Sequence, residues 1–170
     1  MSRVRRAWSK IMTFECAEWS PKIVTGLPSI DDQHRHLFEL AATFCGDGDQ
    51  VRVLKSLAML TEYVKVHFRE EEELMAACHY PHLEAHRELH GEFRRLLYEL
   101  LENAKHMTLD EIAEEVKYLI NGWFYNHILV ADFHYVPVVK TCKNIPASTA
   151  ASAPVLNASP DDSSPEWTDA

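Results

Sequence analysis

Apolar side chains recur at alternating steps of three and four residues along four stretches of the chain. These stretches run from Ile30 to Phe44, from Val53 to Leu74, from Leu83 to Leu100 and from Ile112 to His127. Such steps keep a set of side chains on one face of an α-helix, because the helix has 3.6 residues per turn. The pattern therefore predicts four amphipathic helices, each with one buried face.

The segments between these stretches carry residues that typically end or begin a helix. Gly46–Asp49 breaks the first helix, and Pro81 marks a turn after a second helix that extends over about 50 to 77. Thr108 and Glu111 have the spacing of a capping box, which opens the fourth helix. Short connections such as these join antiparallel neighbours. We therefore expect an all-α protein, an antiparallel up-down-up-down four-helix bundle.

The chain has 170 residues, which suits a single domain with a short extension on either side. Residues 14–143 contain the predicted bundle. Residues 1–13 form a basic extension without acidic side chains, and residues 144–170 form a tail rich in Ala, Ser, Pro and Asp. This composition predicts disorder, because the tail buries too little apolar surface to offset the entropy of ordering. A docking segment for a protein partner, using Trp167, is the alternative interpretation of the tail.

Net charge and hydropathy limit the kinds of partner. The chain has 26 acidic and 17 basic residues, a net charge of −9, which argues against a broad basic face for nucleic acid. No stretch is as long and apolar as a membrane span, and no apolar run follows the basic N-terminus as in a secretory signal. We therefore expect a cytoplasmic protein that binds neither nucleic acid nor a membrane. In that compartment its four cysteines, Cys16, Cys45, Cys78 and Cys142, would be reduced thiols.

The inward faces of the four helices are not purely apolar. Five histidines and two carboxylates fall on or beside the apolar stripes: His34, His67, Glu71, His86, His90, His127 and Asp132. A buried polar group without a partner costs about 1–3 kcal/mol, and a bare carboxylate costs more. Seven such groups would rival the whole stability of a small domain, about 5–15 kcal/mol. Bound cations would compensate for this cost, so the pattern predicts a metal site in the core.

The number and type of these side chains indicate which metal they would hold. Seven ligands exceed the four of one zinc ion, and no cysteine lies on the stripes. Two metals that share two carboxylate bridges would use all seven. Nitrogen-rich sites suit Fe, Zn, Cu or Ni, and carboxylate bridges in a dinuclear centre favour iron, with manganese as an open alternative. The five-residue step from His127 to Asp132 exceeds one helical turn, so we expect the helix to loosen there.

The order and spacing of these ligand candidates resemble the hemerythrin family, and in particular its single-domain bacterial members. The chain carries the family's four motifs in order between about Trp19 and Asp132: His34 at the end of GLPSIDDQH, His67-x-x-x-Glu71, His86-x-x-x-His90 and His127-x-x-x-x-Asp132. The complete set is highly specific, and all seven positions are filled. The resemblance therefore implies the family's fold, a four-helix bundle with a di-iron site in its core.

The resemblance also implies how the ligands divide between two iron ions. One iron would have three imidazole ligands, from His86, His90 and His127. The other would have two, from His34 and His67. Both would share an oxo or hydroxo group and two carboxylate bridges, from Glu71 and Asp132. The His34/His67 iron is then one ligand short, and family members bind O2 reversibly at that open position.

Apolar side chains near the ligands would line the O2 site and keep water away from it: Leu37, Phe38, Val64, Phe68, Leu89, Phe93 and Trp123. Ordinary core packing explains the same residues, and the two roles are compatible. The remaining histidines are off the ligand pattern and are expected at the surface or beside a ligand: His36, His79, His82, His106 and His134. His79 stands where family members often have glycine, at the end of the second helix.

Reversible binding of O2, for storage, transport or delivery, is the function that this site predicts. One alternative is an oxygen or redox sensor that acts through a protein partner. This sequence contains no fused output domain, which argues against that alternative. The other is a di-iron enzyme with ferroxidase, peroxide or nitric-oxide chemistry. No acid–base group beyond the seven ligands lies on the stripes, which favours a carrier over an enzyme. The sequence does not predict the oligomeric state.

Overall fold

The structure is a computed structural model that describes residues 18–44 and 50–143. These residues form four long helices: α1 (Pro28–Ala42), α2 (Gln50–Ala77), α3 (Leu83–Asn103) and α4, which begins at Leu109 and ends at Thr141. Short 3-10 turns at Pro21–Ile23 and Ala104–His106 precede α1 and follow α3. The four predicted helices are thereby confirmed, and neither described segment contains a strand.

The four helices form a closed circuit of neighbours around the core. α1 packs against α2, α2 packs against α3, and α4 packs between α3 and α1. Gln33 near the start of α1 contacts Glu70 near the end of α2, so these two helices run antiparallel. Glu72, also near the end of α2, contacts Arg87 near the start of α3. The antiparallel four-helix bundle is confirmed.

Helix α4 is continuous but is not α-helical throughout. Two π-helical segments, Tyr118–Phe124 and Ile128–Asp132, interrupt it. Its α-helical parts are Leu109–Lys117, Tyr125–His127 and Phe133–Thr141. A π-helical turn joins residues five apart, so side chains at that spacing approach the same face. The second π segment covers the five-residue step from His127 to Asp132, and the predicted loosening of the helix is confirmed there.

Local hydrogen bonds fix where α4 and α1 begin. Thr108 Oγ1 accepts a bond from Glu111 N (3.2 Å) and Glu111 Oε2 accepts one from Thr108 N (2.9 Å), which confirms the capping box. In the first turn of α1, the Asp31 carboxylate accepts bonds from the preceding Thr25 N (2.7 Å) and Gly26 N (2.9 Å). Gly26 has a φ of 74°, which glycine adopts without strain. These bonds hold the start of the helix that carries the first predicted ligand.

Helix α2 ends in a left-handed turn at His79, whose φ is 53°. Tyr80 N donates to Met75 O (3.0 Å), and His79 N donates to Ala76 O (3.1 Å). This pair of bonds is the Schellman motif, in which glycine is the usual left-handed residue. A side chain in that conformation costs about 1–2 kcal/mol. Histidine at position 79, where the family often has glycine, therefore leaves the end of the helix in place but strains the local backbone.

Replacing His79 with glycine should stabilise the protein. His79→Gly removes the clash of Cβ with the backbone, and the greater freedom of glycine in the unfolded chain offsets part of this gain. We expect a net gain of about 0.5–1 kcal/mol, which raises the melting temperature by about 1–3 °C in thermal unfolding followed by circular dichroism. His79→Ala keeps the Cβ and is the control. An equal gain in both variants would contradict the backbone explanation.

Two apolar clusters fill the bundle, and buried polar residues border both. The larger cluster includes Phe68 and Phe124, and the smaller includes Tyr135. His34 packs against Phe124, with ring centroids 5.4 Å apart, and His86 packs against Tyr135 at 5.7 Å. The predicted ligands thus lie in the core between two apolar regions, where solvent does not satisfy their polar atoms.

A disulfide joins Cys78, just after α2, to Cys142, just after α4. The expectation of reduced thiols is therefore wrong for these two cysteines. Helices α2 and α4 run in the same direction in an up-down-up-down bundle, so their C-terminal ends meet at one end. That arrangement brings two Cα atoms 64 residues apart in sequence to within 5.6 Å, a separation that a disulfide spans.

Several predictions concern residues outside the described segments and stay predictions. They include the basic extension 1–13, the tail 144–170 with Trp167, the helix break at Gly46–Asp49, and the thiols of Cys16 and Cys45.

Among the described residues, no helix combines the length and the apolar character needed to cross a lipid bilayer.

Candidate metal centre

All seven predicted ligands are buried inside the bundle, and none is more than 4% exposed. Helix α1 contributes one of them, and each of the other helices contributes two. They are His34 on α1, His67 and Glu71 on α2, His86 and His90 on α3, and His127 and Asp132 on α4. Residues spread over most of the chain therefore meet in one place.

Three imidazoles and one carboxylate form a first group. Ligand atoms of His86, His90, His127 and Glu71 all lie within 4.8 Å of one another. Glu71 Oε2 is 3.1 Å from His90 Nε2 and 3.6 Å from His86 Nε2, and the Nε2 atoms of His90 and His127 are 3.2 Å apart. Two ligands of one metal ion are about 3–3.5 Å apart when each metal–nitrogen distance is about 2 Å. The first group therefore has the spacing of ligands around one cation.

A second group consists of His34, His67 and Glu71, whose ligand atoms also lie within 4.8 Å of one another. Asp132 connects the two groups. Its Oδ2 is 3.5 Å from His34 Nε2, whereas its Oδ1 is 3.0 Å from His127 Nε2. Glu71 thus belongs to both groups, and the two oxygens of Asp132 face one group each. Carboxylates placed in this way can bridge two cations.

Six of the ligand atoms in these groups are buried without a hydrogen-bond partner. They are His34 Nε2, His67 Nε2, His86 Nε2, Glu71 Oε2, Asp132 Oδ1 and Asp132 Oδ2. Folded proteins leave few buried polar atoms unpaired, because each costs about 1–3 kcal/mol. Here the unpaired atoms are ring nitrogens and carboxylate oxygens that converge on one another. Metal cations would satisfy them, so these residues fit the binding of two ions.

Burial keeps three of the imidazoles neutral. It lowers the pKa of His67 to about 4 and the pKa of His127 to about 3, and it lowers the pKa of His34 well below its usual value. A neutral imidazole has the free lone pair that metal binding requires. These side chains are therefore in the ligand form at neutral pH.

The two carboxylates have opposite pKa shifts. Burial raises the pKa of Asp132 well above its usual value, and the nearby charge of Glu71 raises it further. Burial also opposes ionisation of Glu71, but contacts with His86 and His90 outweigh burial and hold the pKa of Glu71 well below its usual value. A cation between the carboxylates would favour the ionised form of both, because it removes their mutual repulsion.

Comparison with known protein families shows to which family this chain belongs. The hemerythrin HHE cation binding domain matches residues 25–139, most of the chain. This chain belongs to the hemerythrin family. The family binds non-haem iron, and the buried clusters of this member are consistent with oxygen binding at a di-iron site.

Relatives from several organisms match about 70% of this chain. A bacteriohemerythrin from Pseudomonas paraeruginosa (strain DSM 24068 / PA7) is 29% identical over 126 residues, which cover 72% of this chain and 80% of the relative. A myohemerythrin from Theromyzon tessulatum is 28% identical, with 73% and 97% covered. A hemerythrin subunit alpha from Lingula anatina is 29% identical, with 69% and 90% covered. No solved structure matches the chain at a significant level.

Side chains outside the ligand set determine which imidazole nitrogen faces the centre of this hemerythrin. Gln33 Nε2 donates to Glu70 Oε2 (2.5 Å), so Gln33 Oε1 is the atom that accepts from the Nδ1–H of His67 (2.9 Å). Glu72 Oε1 accepts from the Nδ1–H of His90 (2.8 Å). A proton on Nδ1 leaves the lone pair on Nε2. Both imidazoles are therefore in the tautomer that binds a metal through Nε2.

Aromatic rings cover the side of the site that holds His34 and His67. The Phe124 ring is 5.4 Å from the His34 ring and 5.8 Å from the His67 ring, and the Phe68 ring is 5.4 Å from His67. Phe68 and Phe124 are both fully buried. The same apolar cluster contains four more of the predicted lining residues, each at most 1% exposed: Leu37, Phe38, Val64 and Phe93. These four side chains are therefore buried in the same cluster as Phe68 and Phe124, and their role in lining an O2 site stays a prediction.

Two predicted lining residues lie elsewhere. Leu89 is 39% exposed, so its predicted place in the lining is wrong. It precedes His90 by one residue, which turns its side chain about 100° around α3 from the site. Trp123 is half-buried and stacks on His127, with centroids 4.7 Å apart and planes 13° apart, and it also packs against Phe93. Trp123 therefore covers the three-imidazole side.

Sequence reasoning missed four residues that contact the site: Gln33, Glu72, Phe124 and Tyr135. The Tyr135 hydroxyl donates to Glu71 Oε1 (2.6 Å), and burial raises its pKa well above the usual value, so the phenol stays protonated. The only sequence signal for Tyr135 is its place one helical turn after Asp132. Gln33 and Glu72 are each next to a predicted ligand in the sequence. Their side chains therefore point away from the ligand face of their own helix, and each contacts an imidazole on a neighbouring helix.

The five histidines outside the ligand pattern are all exposed, as expected: His36, His79, His82, His106 and His134. His36 stacks on Tyr63, with ring centroids 5.8 Å apart. None of the five contributes to the clusters of candidate ligands found among the described residues. The ten histidines of the chain therefore divide into five buried candidate ligands and five surface residues.

Proposed function

We propose that this hemerythrin binds dioxygen reversibly at a di-iron centre, for oxygen storage, transport or delivery. The imidazoles of His86, His90 and His127 would hold one iron, and those of His34 and His67 would hold the other. The carboxylates of Glu71 and Asp132, with an oxo or hydroxo group, would bind both. The observation that carries this proposal is the position of the carboxylates, each of which has oxygen atoms beside both imidazole groups.

The two metal positions differ in the number of protein ligands. Each shares both carboxylates, but one position has three imidazoles and the other has two. A metal site that binds an external ligand needs an open coordination position, and the two-imidazole side provides it. Iron would supply there the electrons that O2 binding requires. We therefore assign the O2 site to the side of His34 and His67.

The side chains around that position favour binding over further chemistry. Phe68 and Phe124 are fully buried beside His67 and exclude water, which would displace O2 and promote oxidation of the iron. The Tyr135 hydroxyl is directed to Glu71, where it holds a bridging carboxylate in place. The Phe68 and Phe124 rings that pack against His67 carry no exchangeable proton for O–O cleavage. We infer a carrier rather than an enzyme.

Loading the protein with ferrous iron under argon and then admitting air tests this function. We expect a visible ligand-to-metal charge-transfer band that appears with O2 and disappears when argon returns, over repeated cycles. Irreversible bleaching at the first exposure would contradict reversible binding. Continuous turnover of added peroxide would favour an enzyme instead.

A further inference from the structure

Among the described candidate ligands, His67 and His90 have a side-chain acceptor on Nδ1, and the two acceptors differ in charge. The Nδ1–H of His90 donates to the carboxylate of Glu72 (2.8 Å). The Nδ1–H of His67 donates to the neutral amide oxygen of Gln33 (2.9 Å), and the Glu70 carboxylate accepts from the Nε2 of that amide rather than from the imidazole. The carboxylate contact therefore belongs to the three-imidazole group, and the amide contact belongs to the two-imidazole group.

Surrounding residues hold Glu72 in place. Arg87 Nε is 3.3 Å from Glu72 Oε2, and Arg94 lies 3.5 Å from Glu72 Oε1. The Glu72 side chain is only 16% exposed, so water screens its charge weakly. The Phe68 ring stacks on His90, with centroids 3.7 Å apart and planes 6° apart, and Arg94 lies over the same ring at 5.7 Å. The geometry between Glu72 and His90 is therefore fixed on several sides.

A carboxylate on Nδ1 increases the electron density that the imidazole offers through Nε2, and such partners affect metal affinity by about 10–100-fold. We propose that Glu72 is a positioning residue, which acts through His90 to make the three-imidazole position the tighter of the two metal positions. This inference rests on the metal assignment in the proposed function. The two-imidazole position has only the amide contact at His67, and His34 Nδ1 has no hydrogen-bond partner. Tight anchoring and the open coordination position thus fall on opposite sides of the centre.

Titration of the metal-free protein with Co²⁺ under argon, in competition with a chelator, measures both positions. Glu72→Gln keeps an oxygen that accepts from His90 Nδ1 and removes the negative charge. We expect the tighter Co²⁺ step to weaken about tenfold or more, with an altered visible spectrum of the first Co²⁺ ion, and the weaker step to stay unchanged. Equal affinities for Glu72→Gln and the unaltered protein would overturn the proposal.

Glu73→Gln is the matched control, because it removes the same charge from the adjacent position, where the side chain is 68% exposed. Its Co²⁺ affinities should equal those of the unaltered protein. An equal weakening in both variants would also overturn the proposal, since it would reflect net charge alone. If Glu72→Gln does not fold, Glu72→Asp, which keeps the charge but shortens the reach to His90 Nδ1, is compared with Glu73→Asp. We then expect the tighter Co²⁺ step to weaken in Glu72→Asp alone, and equal affinities in the two variants would overturn the proposal. No O2 enters this titration, so failure of reversible O2 binding and failure of the role of Glu72 remain distinguishable.

Discussion

His127→Ala should lower the iron content of the reconstituted protein from two ions per chain to one or none. The variant removes one of three imidazoles from the first group, whose ligand atoms lie within 4.8 Å of one another. It also leaves Asp132 Oδ1 without the nitrogen that lies 3.0 Å away. Iron analysis after desalting measures the result directly. Because both carboxylates face both groups, we also expect the O2-dependent visible band to disappear.

The control for this experiment is His134→Ala. His134 lies on the same helix, seven residues later, but it is exposed and belongs to neither ligand group. Its variant should retain two ions per chain and the full visible band. Two ions in His127→Ala, with the helical circular dichroism of the unaltered protein, would refute the ligand assignment.

Phe124→Ala should destabilise the metal-free protein by about 3–5 kcal/mol. The ring is fully buried and packs against His34, His67 and Phe93. Its removal leaves a cavity that the neighbouring rigid rings fill only in part. Since a domain of this kind is stable by about 5–15 kcal/mol, the loss is a large fraction of the total. Urea unfolding followed by circular dichroism measures the change.

Leu89→Ala is the matched control, because the sequence placed Leu89 in the same lining and the structure exposes it by 39%. We expect a loss of about 0.5–1 kcal/mol for this variant, since little buried surface disappears. Similar losses in the two variants would contradict the placement of Phe124 in the core and of Leu89 at the surface.

The fold and the ligand positions were readable from the sequence for one physical reason. Helical periodicity is a local property, so the steps of three and four along each stretch identify the buried face without knowledge of the neighbouring helices. Polar residues such as His67 and Glu71 on that face are costly to bury without compensation, so their presence indicates bound cations. The five-residue step from His127 to Asp132 even indicated a departure from regular α-helix, which the structure places at Ile128–Asp132.

Contacts between helices were not readable in the same way. Gln33 and Glu72 follow no periodic pattern, because each is turned away from the stripe of its own helix and contacts an imidazole on another. Phe124 and Tyr135 lie on α4 within or after the π-helical segments, where the change of helical pitch shifts every later side chain around the axis. Their places beside the site depend on that shift.

By itself, the sequence determined the four helices, the set of seven candidate ligands and the resemblance to the hemerythrin family. Only the tertiary structure decided which residues orient the ligands and which rings pack against them. It also decided that Cys78 and Cys142 pair, because the parallel course of α2 and α4 brings their ends together. Burial patterns repeat along one helix and can be read locally, whereas orientation depends on the register between helices, which exists only once they pack.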